Sequence, residues 1–234
     1  MSDKHLLRKT RKGTIINVSS KKQETDIIVA LKEVIDKINE NYPVELSHFG
    51  KWSLKDIVKK LRECFPKTEF HYFFESSNIR PDGGILFMKS KKGELYPILI
   101  TEVKNQGTNA LRIKEGLKEQ ARGNAIERLG KNVIGLRTAL SSESIFPFVC
   151  FGFGCDFSSK SSILDRVVTI AMFGKLNKTY LHNEGGKVIF NRGSFYFRDE
   201  KWSVDEMVTI MYDIAERSIQ YYFSAYGKNN FLRS

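Results

Sequence analysis

The chain has 234 residues, with 38 Lys plus Arg against 27 Asp plus Glu, a formal charge of +11 and a pI near 9.5. That length suits one domain with a well-buried core, and that charge points to a polyanionic partner, either nucleic acid or an anionic membrane surface. No apolar run approaches the roughly 20 residues of a membrane helix, and the N-terminus is charged where a signal peptide would be apolar, so a membrane-spanning or secreted protein is not expected.

Residues 1–20 are polar and basic without a clear period, and read as a mobile arm able to contact phosphates; residues 21–234 read as a single domain. From Glu24 to Asn39 the recurrence of Ile27, Ile28, Leu31, Ile35 and Ile38 predicts an amphipathic helix. Ser53 can cap a second helix whose apolar face is Leu54, Ile57, Val58 and Leu61. Strand signals follow in TEFHYFFE, GILFM and YPILITEV, all rich in aromatic and β-branched residues. The stretch from Ala110 to Leu140 is helix-compatible but interrupted by glycines, which predicts short helices around an irregular segment. FPFVCFGF reads as a buried strand, Ile163 to Phe173 as a helix, and KVIFNRGSFYF as a hairpin with an Asn-Arg-Gly turn. Ser203 then opens a long helix with Val204, Met207, Ile210, Met211 and Ile214 on one side. Helices enclosing a mixed central sheet make an α/β domain.

Cys64, Cys150 and Cys155 are too few and too scattered for a disulfide framework, which fits a reducing cytoplasm. Neither they nor His5, His48, His71 and His182 show zinc-site spacing, so they read as ordinary core or surface groups.

The chemistry concentrates in RPDGGI and TEVK. SKKGE between the two strands reads as a turn, with Gly93 suited to a positive φ. With Lys92 at the tip, antiparallel register sets Asp82 opposite Glu102, and cross-strand Cβ atoms about 5 Å apart let two carboxylates share a cation. Alternation puts Glu102 and Lys104 on one face and sends Val103 into the apolar layer behind. Mg²⁺ suits such a pair because it takes hard oxygen ligands, and the lysine could orient a water nucleophile or neutralise charge forming on a phosphate. The same residues also fit a charged hairpin edge that resists aggregation, and local sequence does not choose between the two.

RPDGGI, the strand ending ILITEVK, and RGNAIERLGKN together resemble the EcoRI family of type II restriction endonucleases, within the PD-(D/E)xK nucleases. The likeness continues through SSESIFPFVCF, ILDR and VDEMVTIMYDI, covering most of the chain from about Tyr42 onward. It implies a restriction-endonuclease-like core and a prokaryotic homodimer that uses Mg²⁺ to cut both strands of a palindromic duplex DNA site with an AATT centre. The ends would be 5′-phosphate and 3′-hydroxyl, and a DNA methyltransferase would be the genetic partner.

Residue by residue, the resemblance makes Asp82 and Glu102 the metal-binding acids, with the Val103 carbonyl facing the metal, and Lys104 the catalytic lysine. It aligns Asn124, Ala125, Glu127 and Arg128 with the base-reading segment. Those residue types suit the work: Asn pairs with adenine N6 and N7, Glu accepts from exocyclic amines, Arg donates to base acceptors, and Ala touches a thymine methyl. Gly123 would let the backbone approach the groove, and Arg122 would add a phosphate contact. Asn105, Gln106, Lys131 and Arg166 complete the DNA-contacting set.

Two departures stand out. Near ILDR the family has two arginines separated by two residues, but Ile163 occupies the first position here and only Arg166 remains, which leaves the outer base pair open. The segment between TEVK and GNAIER is also shorter than the prototype's. A repair nuclease or junction resolvase would share charge and triad, but GNAIER argues against it. A noncatalytic DNA-binding module would have no use for the intact Asp, Glu and Lys set.

Overall fold

The computed structural model describes residues 15–105, 109, 113, 116, 118, 124–157, 161–165, 167–168, 175–182 and 191–233. Helix α1, Ile15–Asn41, starts inside the stretch read as an arm. Its core stripe is Ile27, Ala30, Leu31, Val34 and Ile38, whereas Ile28 is 44% exposed and Ile35 only partly buried. Strands β1, Glu45–Phe49, and β2, Trp52–Ser53, follow, and then α2, Leu54–Cys64. The Ser53 hydroxyl accepts from the Asp56 N–H at the start of α2, which is the expected cap.

After α2 the reading and the structure part. TEFHYFFE forms no strand, and only Asn78–Ile79, β3, is extended, paired with β2. Phe73 is 91% exposed and Phe74 70%, so the aromatic enrichment that suggested a strand has no neighbouring sheet to bury it.

The central sheet comprises β1, β4 (Gly84–Lys89), β5 (Leu95–Asn105), β6 (Phe148–Phe153) and β7 (Ser194–Arg198), in the order β1-β4-β5-β6-β7. The first three are antiparallel and the last three parallel, a mixed sheet as expected. β7 is the second half of the predicted hairpin. It runs parallel to β6 at the sheet edge, and residues 187–190, the first half, lie outside the described residues. At Asn-Arg-Gly, Gly193 has φ +93 and donates its N–H to Asn191 Oδ1 at 2.8 Å.

Helix α3, Asn124–Ala139, is one helix of 16 residues that runs straight through Gly130 and Gly135. Its buried Ile126, Leu129, Val133 and Leu136 recur at helical spacing, and this apolar face outweighs a cost of about 1 kcal/mol for each interior glycine. Of the predicted 163–173 helix, residues 163–165 are helical within α4, Ser162–Asp165, and residues 166 and 169–173 lie outside the described residues. Helix α5, Val204–Tyr226, carries the capping box that Ser203 and Glu206 form. It packs with α1 on one sheet face, against Leu99, Val103 and Phe151, while α2 and α3 cover the other, against Ile85, Ile100, Phe148 and Cys150. Among the described residues no helix is long and apolar enough to cross a membrane.

The α5 cap makes a pH prediction. Glu206 receives two bonds of 2.7 Å from the Arg198 guanidinium and one from the Ser203 N–H, which pull its carboxyl down to about 2. A depressed folded-state pKa stabilises above the unfolded value, and that contribution fades as pH falls toward the folded one. Urea midpoints measured from about pH 5 to about pH 2 should therefore fall less steeply in Glu206→Gln than in the wild type, with the effect tempered by solvent exposure of the pair.

Candidate active site

The acids and the lysine meet at one end of the β4–β5 hairpin, opposite its Gly93 turn. Gly93 has φ +83 and donates to the Ser90 carbonyl at 2.8 Å, closing the hairpin as its sequence predicted. The register does not continue unbroken. Phe87 faces Pro97, but Leu86 faces Leu99, so Ile98 is a bulge and every pair beyond it is displaced by one residue on β5. The pairing ends at Gly84 with Thr101, and Asp82 lies in the turn just before it, closed by the Gly84 N–H donating to the Pro81 carbonyl at 3.0 Å, so Asp82 and Glu102 are not a ladder pair.

The acids remain neighbours through hydrogen bonds. The Asp82 N–H donates to Glu102 Oε2 at 3.0 Å, and the Val103 N–H donates to Asp82 Oδ2 at 3.2 Å. Lys104 Nζ lies 3.1 Å from Asp82 Oδ2 and is also ion-paired with Glu102 Oε1. Alternation along β5 is as expected, with Val103 in the core that faces α1 and α5, and with Ile100, Glu102 and Lys104 on the face that α3 covers.

Burial is graded across the trio: the Glu102 side chain is 4% exposed, Lys104 19% and Asp82 27%, so the site opens on the Asp82 side. Burial pushes the Glu102 carboxyl above its ordinary range, with Lys104 drawing it back and Asp82 adding to the rise. For Lys104, burial favours the neutral amine, but the Glu102 and Asp82 charges outweigh it and raise its pKa, so the group is a full ammonium at neutral pH. Cys150, across from Glu102 on β6, is fully buried and its thiol is pushed well up by burial, which keeps it protonated.

The two glycines after Asp82 are sterically required. A Cβ on Gly83 would lie 2.0 Å from Thr101 Oγ1, while Gly84 has φ +80 and a Cβ there would meet His48 Nε2 at 2.5 Å. His48 Nε2 is 3.0 Å from the Gly83 carbonyl and steadies the turn. Sequence reading left His48 as an ordinary core or surface group, because nothing in ELSHFG announces that β1 pairs with β4. Gly83→Ala should cost about 1 to 3 kcal/mol of stability through overpacking. It should also displace Asp82, so the duplex-DNA cleavage that the resemblance implies should fall further than the loss of folded protein measured by thermal unfolding explains.

The DNA-contacting candidates are distributed as follows. Asn124, Ala125, Glu127 and Arg128 occupy the first turns of α3, on the same sheet face as Glu102 and Lys104. Lys131 is exposed on that helix, and Asn105 is half-buried at the end of β5. Gln106, Arg122, Gly123 and Arg166 lie outside the described residues. Ile163 is 1% exposed in the core beneath α3, so the residue at the departing position packs the interior.

As a cation site, Asp82 and Glu102 supply hard oxygen donors. Both carboxylates reach one ammonium, so they converge on a single point of positive charge, a donor set that fits a small divalent cation. Among the described residues no group of three or more His, Cys, Asp and Glu is placed to hold a metal ion, so the side-chain donors here are these two acids.

Sequence comparison connects this geometry to known proteins. The family described as Restriction endonuclease EcoRI matches residues 9–164 and 158–229. The chain belongs to the EcoRI family of restriction endonucleases. It is 30% identical over 241 aligned positions to the type II restriction enzyme RsrI of Cereibacter sphaeroides, covering 88% of this chain and 87% of that enzyme. To the type II restriction enzyme EcoRI of Escherichia coli it is 29% identical over 227 positions, covering 81% of each. The mixed five-stranded sheet between two helical layers is the restriction-endonuclease-like fold, and membership of the EcoRI family makes this protein a DNA-binding nuclease of the type II class.

Proposed function

We propose that the protein cuts both strands of a palindromic duplex DNA site with an AATT core, in a Mg²⁺-dependent reaction that leaves 5′-phosphate and 3′-hydroxyl ends. The observation that carries this reading is the convergence of Asp82 and Glu102 on Lys104, on the sheet face covered by the helix that begins with Asn124. Asp82, Glu102 and the Val103 carbonyl would hold the Mg²⁺, which when bound supplies Lewis-acid neutralisation at the scissile phosphate and acidifies a water.

The remaining roles belong to side chains of the protein. Glu102, nearly buried and tied to the Asp82 N–H, fixes the relative placement of the two acids. Lys104, a full ammonium with three donors, orients the attacking water or takes up charge developing on the phosphate. Asn124, Ala125, Glu127 and Arg128 would read base edges from the first turns of α3. Arg122, Gly123, Arg166, Asn105, Gln106 and Lys131 would position the duplex.

Cutting both strands at a palindrome calls for two symmetric sites, hence a homodimer. A companion methyltransferase would protect host DNA in a prokaryotic cytoplasm. Plasmid DNA incubated with the protein and Mg²⁺ should give discrete fragments and should stay intact in the presence of a chelator. Fragments of equal yield with the chelator present would contradict the metal requirement.

A further inference from the structure

We infer that Glu143 is a specificity-determining positioning residue: by clamping the turn after α3 to α5, it sets the angle at which the first turn of α3 meets DNA. This rests on the reading above that α3 begins with the base-contacting residues.

Glu143 lies in the short turn between the end of α3 and the start of β6, and is only 9% exposed. Tyr226 Oη donates toward both carboxylate oxygens, 3.2 Å from each, and Tyr221 Oη lies 3.2 Å from Oε2. The next residue joins the clamp, since the Ser144 N–H donates to Tyr221 Oη at 3.0 Å. Both tyrosines belong to α5 and are held in place by other rings: Tyr226 packs on Tyr96 and Tyr221 on Tyr222, each with centroids 5.1 Å apart. Tyr222 in turn donates to the Pro97 carbonyl of β5 at 3.1 Å. The clamp therefore refers the end of α3 to the strand that carries Glu102 and Lys104.

A buried acid is a poor device for stability, because apolar groups of equal volume often stabilise as well or better. It is a good device for direction. The apolar underside of α3, with Ile126, Leu129, Val133 and Leu136, resists separation from the sheet but resists small tilts weakly, since apolar contact is non-directional. A 16-residue helix is about 24 Å long, so a tilt of about 5° pivoting at Glu143 displaces the first turn by about 2 Å. That exceeds what a base-edge hydrogen bond tolerates.

The test compares wild type, Glu143→Ala, Glu143→Gln and Tyr226→Phe. For each, kcat/KM is measured on a duplex with the cognate site and on duplexes with one base pair of the AATT core changed. The amplitude of the first turnover on excess cognate duplex supplies the active concentration, and single-turnover rates isolate the chemical step. A merely structural role would lower active protein equally for every duplex and leave the cognate-to-altered ratio unmoved. The ratio is expected to fall about ten-fold or more in Glu143→Ala, with partial rescue in Glu143→Gln, which keeps one oxygen acceptor. Tyr226→Phe keeps the ring and removes one donor, so it carries the same prediction at smaller size should Glu143→Ala fail to fold. Wild-type ratios in both Glu143→Ala and Tyr226→Phe, or in Tyr226→Phe alone where the alanine variant does not fold, would overturn the inference while leaving base reading intact. Absence of discrimination in the wild type would overturn the base-reading assignment itself.

Discussion

Lys104→Ala is expected to abolish cleavage of duplex DNA while specific binding largely survives. The ammonium lies 3.1 Å from Asp82 and is ion-paired with Glu102, in a pocket where Glu102 is nearly excluded from water. Its removal takes away the cationic side chain that pairs with both acids. Losing a single preorganised donor of this kind costs about 10²- to 10³-fold in rate. The fold should tolerate the change, because Glu102 is already pushed toward the protonated form by burial and can take up a proton when its partner is lost. Lys104→Met, which retains most of the side-chain volume, separates lost packing from lost charge. Asp82→Ala and Glu102→Ala should be equally inactive for the complementary reason that the oxygen donors are gone. Cleavage is read by gel and binding by fluorescence anisotropy on the same labelled duplex, and robust cutting by any one of the three alanine variants would remove that residue from the catalytic set.

The second large effect lies at the start of α3. Asn124→Ala and Arg128→Ala should each lose discrimination between the cognate duplex and a scrambled one, by about 1 to 3 kcal/mol, because a base contact is removed while phosphate contacts persist. Non-specific affinity, and its dependence on salt, should change little for Asn124→Ala. Competition binding measures both quantities together. Variants that bind the two duplexes with equal affinity would support the assignment, and variants that discriminate as well as wild type would contradict it.

The candidate site was legible because it is local. The turn at Gly93 and the alternation in TEVK bring Asp82, Glu102 and Lys104 into one neighbourhood from sequence alone, and the α5 cap is written in Ser203 and Glu206. What escaped the reading depends on partners distant in sequence. The bulge at Ile98 sits in a continuous apolar run, where nothing reveals that Ile98 and Leu99 serve the same core. β1 has no strand composition and exists because β4 offers it an edge, whereas the aromatic TEFHYFFE finds no edge and stays out of the sheet. Likewise, the glycines in α3 suggested breaks, but the helix is held by burial of Ile126, Leu129, Val133 and Leu136. Ile163 shows the limit of pattern matching: its position suggested a missing DNA contact, and the fold buries the side chain in the core under α3. The identity of the polymer came from GNAIER through resemblance, since an isolated helix start with Glu and Arg would otherwise read as solvated surface.

The most direct test of this account is to digest a plasmid of known sequence with the purified protein and Mg²⁺ and then sequence the fragment ends. Every end should map to a palindrome with AATT at its centre and carry a 5′-phosphate, with the flanking base pair read off the same data. Ends scattered without a common sequence, or gathered at a site lacking AATT, would contradict it.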